Sequence, residues 1–252
     1  MCVKIVLTTS KVDYNNLMKI ILIIITILNL SSFAKQPPIK IATHYSPPWS
    51  NGDCTGAEID IIKAAFKIES IEIECVYYSY GRLVKYFKSG HSEFSTPITR
   101  VDGDSVHAYY SDSFHKYSDV VLSYSDKKIT LNDFKGKRIL AYQGASEYLG
   151  EDYRAATKMA RSYVESSDRE GQIELLQKKR VDYIIGEVNL LMFLAKKSNV
   201  PTKVYANLVL KKWDIRSASH KEELMKKFNS GLKKLKENGT VDKIYQQYHI
   251  IK

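Results

Sequence analysis

Runs of apolar residues separated by polar, glycine-rich breaks divide this chain into alternating short strands and amphipathic helices. Ile39-Lys40-Ile41-Ala42-Thr43 predicts a strand, and Tyr45-Ser46-Pro47-Pro48-Trp49 predicts a loop, because neither proline can donate to a ladder. Ala57 to Ile68 carries Ile59, Ile61, Ile62, Ala65 and Phe66 largely on one helical face. Ile71 to Val76 alternates with a period of two, as a half-buried strand does. Gly81 to Phe87 predicts a helix closed by Ser89-Gly90. Asp119 to Tyr124, Arg138 to Tyr142, Tyr163-Val164, Val181 to Ile185 and Leu208 to Leu210 predict further strands.

Helices are expected between them. Leu131 to Gly136 reads as a short helical turn, and a helix follows Gln143-Gly144-Ala145-Ser146. Asp168 can cap a helix running to about Lys179, and Val188 to Lys197 forms another. Ser219-His220-Lys221-Glu222 has the spacing of a capping box, and it precedes Leu224, Phe228, Leu232 and Leu235 at helical intervals. Asn238-Gly239 ends that helix, and Val241 to Tyr248 makes a last short one. Alternation of this kind predicts an α/β fold with mainly parallel sheets.

One run stands apart. Ile20 to Leu28 is almost unbroken Ile and Leu, with Lys19 before it and Ser31-Ser32-Phe33-Ala34 after it. A positive flank, a short apolar stretch and small residues at Ser32 and Ala34 are the layout of a secretory signal peptide. The stretch is too short to span a bilayer, which takes roughly 20 apolar residues. Residues 1–34 are therefore read as a signal peptide, with Met18 a second possible start, and the mature chain as beginning at Lys35 outside the cytoplasm. An uncleaved N-terminal anchor is the alternative.

The charge changes this picture little. The chain carries a formal net charge of +10. Loss of residues 1–34 removes Lys4, Lys11, Lys19 and Asp13. The remaining lysines are spread over helix faces, several beside acidic neighbours, so the excess reads as a solvated basic surface. No Arg-rich block, zinc-finger pattern or RNA-recognition signature points to nucleic acid. The histidines His44, His91, His107, His115, His220 and His249 are isolated from one another and from cysteine, so no metal site is expected. Cys54 and Cys75 remain in the mature chain, either as a disulfide, which an oxidising compartment permits, or as two buried thiols.

Several segments in order resemble the extracytoplasmic solute-binding proteins of family 3, the polar-amino-acid receptors of ABC importers. They are Ile39 to Thr43 with Pro47-Pro48-Trp49, then Thr55 to Ile62, Tyr110 to Phe114, and Leu131 to Arg138 leading into Gln143 to Ser146. Lys179 to Glu187 follows, and Glu223 through Leu235, Asn238-Gly239-Thr240 and Ile244 to Tyr248 complete the set. The resemblance implies a type II periplasmic-binding fold of two α/β lobes joined by two crossover strands. One lobe would combine residues 35–123 with 207–252, and the other would hold residues 124–206. The solute would sit between them.

The resemblance also implies a ligand set. Gly144 and Ser146 fall where the family binds a ligand carboxylate through backbone N–H groups, though Ser146 can equally cap its own helix. Glu187 stands at the ammonium-binding position, where Asp is the commoner residue. Tyr45 and Trp49 flank the loop whose aromatic covers the ligand, and Ser95, Thr96 and Thr99 fall where hydroxyls face it. The family's carboxylate-clamping Arg is missing three residues after Thr99, where Asp102 stands, and Arg100 is the nearest replacement. The function implied is capture of a small polar solute, an amino acid or a relative, by a monomeric periplasmic protein without a cofactor. Its partner would be an ABC permease or, alternatively, a membrane sensor. A dehydratase-like enzyme on the same scaffold is the remaining reading, with Glu187 as a proton donor. No Ser-His-Asp set or paired carboxylates reinforce it.

Overall fold

The computed structural model describes residues 37–98, 106–198 and 203–251. Two five-stranded sheets are formed from ten strands. The first contains β1 (Ile39–His44), β2 (Ile73–Tyr78), β3 (Phe94–Ser95), β4 (Tyr109–Tyr110) and β10 (Ala218–Ser219), in the order β2-β1-β3-β10-β4. The second contains β5 (His115–Ser123), β6 (Arg138–Tyr142), β7 (Ser162–Ser166), β8 (Tyr183–Glu187) and β9 (Tyr205–Ile215), in the order β7-β6-β8-β5-β9. Within the first, β2, β1 and β3 are parallel. Within the second, β7, β6 and β8 are parallel, and β5 and β9 run antiparallel beside them.

Helices cover both faces of each sheet, so successive residues of a strand enter different cores. Ile41 packs with Phe66, Phe94 and Phe228 under α1 (Ala57–Ile68), α7 (Glu222–Glu237) and α8 (Thr240–Gln247). Its neighbour Ala42 faces Leu83 and Phe87 of α2 (Tyr80–Lys88). In the second sheet, Ile184 packs with Ile173, Leu176 and Leu191 of α5 (Arg169–Gln177) and α6 (Val188–Lys197). Ile185 turns the other way, toward Phe134 of a 3₁₀ turn (Leu131–Phe134), Ala145 of α3 (Ala145–Tyr148) and Tyr153 of α4 (Glu151–Thr157). This two-sided burial explains why the central strands β5 and β8 carry unbroken apolar runs.

Two local readings are corrected. The Ser219 capping box does not form: Ser219 pairs with Tyr109 in β10, its hydroxyl donates to the Glu93 carbonyl, and it accepts from the Lys221 N–H. The helix starts at Glu222, because sheet pairing takes Ser219 first. β9 is also far longer than Leu208–Leu210. It pairs with β5 over its length with register shifts after Asp119 and after Val121, and these break the alternation that would have revealed it. Asp168 does cap α5, accepting from the Gly171 N–H at 2.9 Å.

Cys54 and Cys75 are joined by a disulfide that ties the loop before α1 to β2. The closed loop spans 21 residues, which is worth about 3 kcal/mol in the chain-entropy account. Replacing both cysteines with alanine is expected to lower the unfolding free energy by about 2–4 kcal/mol, measured by urea denaturation of the oxidised parent and the variant side by side. An unchanged midpoint would show that the bridge adds no stability.

Candidate functional site

In an open α/β sheet, loops at the carboxyl ends of parallel strands are the ones free to build a site. Here β1 ends in the loop carrying Tyr45 and Trp49, β6 ends at Gln143-Gly144, and β8 ends at Glu187. The loop after β1 and the end of β8 meet. Trp49, which packs in the first core, donates its indole N–H to Glu187 of the second sheet at 3.0 Å.

Glu187 is 6% exposed and fully engaged. Besides Trp49, it accepts from the Leu190 N–H at 2.8 Å, capping α6, and from the Asn189 side chain at 3.1 Å. Burial pushes its carboxyl above the usual range, against the pull of these donors. Asn189 also exchanges both amide hydrogen bonds with the Ile251 backbone, so the end of the described chain reaches the same corner.

Trp49 is 1% exposed and is held by geometry on its own side. Its carbonyl accepts from the Glu58 N–H at 3.0 Å. Gly56 makes this possible, because a Cβ there would lie 2.4 Å from the Trp49 carbonyl oxygen and the backbone sits at φ +122°. The indole stacks on His115 at 4.5 Å between ring centres, and Tyr117 lies 5.4 Å away.

Beneath these rings lies a carboxylate that the sequence reading missed. Glu58 is 1% exposed and accepts from His115 Nε2 at 3.1 Å, from the Tyr117 hydroxyl at 3.2 Å and from the Thr96 hydroxyl. Burial works to raise its pKa, but the His115 imidazole and the Thr96 hydroxyl outweigh it and hold the carboxyl below its usual range. The signal was present: Glu58 sits on the otherwise apolar stripe of α1 with Ile61, Ile62 and Ala65.

Within the second sheet, Asp119 accepts from the Tyr142 hydroxyl at 3.0 Å and from the Trp213 indole at 2.8 Å. Burial raises its pKa. Arg169, at the start of α5, lies over the Tyr142 ring at 5.2 Å, and burial pushes it down to about 10 against the attraction of Asp119, Tyr142 and Glu187. Neither Asp119 nor Arg169 stood out in the sequence, since their partners come from distant strands.

The remaining expected residues are placed as follows. The Gly144 and Ser146 N–H groups both point at one carboxylate, that of Glu165 on β7, at 2.7 and 2.8 Å. Tyr45 is 51% exposed. The Ser95 hydroxyl pairs with Ser92 at 2.6 Å, and Thr96, besides serving Glu58, accepts from Ser217 at 3.0 Å. Thr99 and Arg100 lie outside the described residues. A cavity of about 730 Å³ lined by Tyr109, Tyr110, Arg216, Met225 and Asn229 lies on the first sheet's side and includes none of Trp49, Gly144, Ser146 and Glu187. Among the described residues no cluster of His, Cys, Asp and Glu could hold a metal, and no helix is long and apolar enough to cross a membrane.

Two α/β halves that turn the carboxyl ends of their strands toward each other define a binding protein of the type II periplasmic-binding fold. The chain belongs to the bacterial extracellular solute-binding proteins, family 3, whose family model matches residues 39–250. These are binding proteins, not enzymes. The chain is 20% identical over 216 residues to a protein of Bacillus subtilis (strain 168) named "Probable amino-acid-binding protein YxeM", covering 82% of this chain and 81% of the relative. The fold is shared with a histidine kinase sensor domain similar to periplasmic binding proteins, at a TM-score of 0.70, 15% identity, and coverage of 85% of this chain and 96% of that one. It is also shared with an ancestral arginine-binding protein bound to arginine, at a TM-score of 0.67, 21% identity, and coverage of 85% and 99%.

Proposed function

We propose that the protein captures a small polar solute, an amino acid or a relative, between the two facing sheet edges and delivers it to an ABC permease. The observation that carries this reading is the Trp49–Glu187 hydrogen bond, which brings loops of both sheets to one place. Tyr45, Trp49, Gly144, Ser146 and Glu187 follow or end β1, β6 and β8 and would enclose the solute, together with Ser95, Thr96, Thr99 and Arg100. One lobe would comprise residues 35–123 and 207–252 and the other residues 124–206, with β5 and β9 as the crossing strands. Closure would be a hinge motion that the solute favours by binding the closed form better. The extracellular family supports a periplasmic protein released by a signal peptide over residues 1–34.

The test is a thermal-shift and calorimetry panel of amino acids, amines and organic acids on the mature protein. A solute at a hundred times its Kd stabilises by about 2.7 kcal/mol, so a true ligand is expected to raise Tm by about 5 °C or more. A panel without shift or binding heat overturns the reading. The likeness to a histidine kinase sensor domain supports a second reading, in which the partner is a membrane sensor. An adjacent permease and ATPase gene pair would favour import, and an adjacent kinase gene would favour sensing.

A further inference from the structure

We infer that the segment following α8 is a strap that ties the two halves together. The main chain of Ile251 clasps the side chain of Asn189 at the start of α6, and while that clasp holds, Trp49 stays bonded to Glu187. This goes beyond the capture of a solute and stands without it, because it concerns only how the halves are held.

The strap is anchored first in the half that contains α8. That helix ends at Gln247, and His249 turns the chain with φ +53°. A residue other than glycine takes this left-handed conformation only where its surroundings hold it there. The His249 N–H donates to the Gln246 carbonyl at 3.1 Å, and the Ile250 N–H donates back to the Tyr245 carbonyl at 2.9 Å. The Ile250 side chain packs against the first core.

The next residue bonds to the other half. The Ile251 side chain is exposed, so its main chain makes the contact. Its N–H donates to Asn189 Oδ1 at 2.7 Å, and its carbonyl accepts from Asn189 Nδ2 at 3.2 Å. A side-chain amide offers an acceptor and two donor hydrogens, and here it meets a main-chain donor and acceptor together. Asn189 Nδ2 also donates to Glu187 Oε1 at 3.1 Å. Glu187 Oε2 accepts from the Leu190 N–H at 2.8 Å and from the Trp49 indole at 3.0 Å. Asn189, Glu187 and Trp49 are all buried, so opening the clasp leaves a buried amide with unmet hydrogen bonds, and that cost keeps it shut. Ile250 and Trp49 both belong to the first core. Two points of one half therefore grip a single corner of the other, through Asn189 and Glu187.

The experiment follows solvent exchange of the two indole protons of the mature protein by NMR at one pH. The chain has 2 tryptophans, and Trp213→Phe assigns their signals. Trp213 donates to Asp119 within the second sheet and serves as the internal reference. Exchange of a buried proton tracks the local opening that exposes it. Ile251→Pro removes the N–H of the clasp and is expected to speed exchange of the Trp49 indole by about tenfold or more, with Trp213 changed less than about twofold. Asn189→Ala is expected to act in the same way, and the double variant to exchange no faster than the faster single one, since both break one contact. Ile251→Ala keeps both main-chain groups and is expected to match the wild type. A Trp49 rate that Ile251→Pro leaves unchanged overturns the inference. So does an Ile251→Ala rate as fast as that of Ile251→Pro, or an equal acceleration at Trp213, which would report a general loosening of the fold. Should Asn189→Ala not fold, Ile251→Pro at its exposed position decides the question alone.

Discussion

Replacing Glu58 with alanine is expected to cost about 3–5 kcal/mol of stability, the range seen when one partner of a buried pair is removed. The substitution leaves His115 Nε2, the Tyr117 hydroxyl and the Thr96 hydroxyl without their shared acceptor, and His115 and Thr96 are buried. His115 is the more exposed to this loss because its Nδ1 is already buried without a hydrogen-bond partner among the described residues. Out of a total unfolding free energy of about 5–15 kcal/mol, such a loss is large. Glu58→Gln keeps the shape and one acceptor, so its cost is expected to be smaller, about 1–3 kcal/mol. Urea unfolding of the three proteins at one pH gives the comparison.

The same residue fixes a pH dependence whose sign can be worked out. Burial works to raise the Glu58 pKa, but His115 and Thr96 overcome it, so the folded pKa lies below the unfolded value of 4.5. A carboxylate depressed in the folded state gives stability that is present above its unfolded pKa and is lost as the pH falls through the folded one. Wild-type stability should therefore fall on acidification below about pH 4.5 more steeply than that of Glu58→Ala. Parallel acid limbs for the two proteins would show that folding does not lower the Glu58 pKa.

What could be read in the sequence divides along a physical line. β5 and β8 were legible because burial on both faces turns them into continuous apolar runs, as at Val120-Val121-Leu122 and Ile184-Ile185. β9 was not, because it is an edge strand whose register shifts against β5 and whose lysines face solvent or a ring. Asp168 was legible as a cap because a cap is a contact within three residues, whereas Ser219 was claimed by a strand more than a hundred residues away. Glu187 could be located at the end of a strand and the start of a helix, yet its Trp49 partner is 138 residues distant. Glu58 and Glu165 each look like ordinary carboxylates on an amphipathic segment. Only the tertiary fold shows that one accepts from a buried histidine ring and the other fills a pair of amides.

Trp49→Ala is expected to cost about 3–5 kcal/mol, as large aromatic truncations in a core do. It removes a side chain that is 1% exposed and that packs on His115, Tyr117 and Tyr245. Trp49→Phe separates packing from polarity, since it keeps a ring but withdraws the N–H from Glu187. A hydrogen bond to a charged group is worth about 1.5–3 kcal/mol, so this smaller change should still be readily measured. The pH dependence identifies the cause. Burial raises the Glu187 pKa, and the Leu190, Trp49 and Asn189 donors pull against it. A folded carboxylate with a raised pKa binds more protons than the unfolded one between the two values, so stability falls as the pH rises through that window. Without the indole donor the folded pKa rises further, and the fall should extend to higher pH in Trp49→Phe than in the wild type. Adding Glu187→Gln to Trp49→Phe removes the charge and should abolish the difference, leaving a coupling energy between the two sites that a double-mutant cycle measures. Strict additivity of the two substitutions would mean that the indole and the carboxylate do not interact in solution, and the two sheet edges would then lack the contact on which the binding site is built.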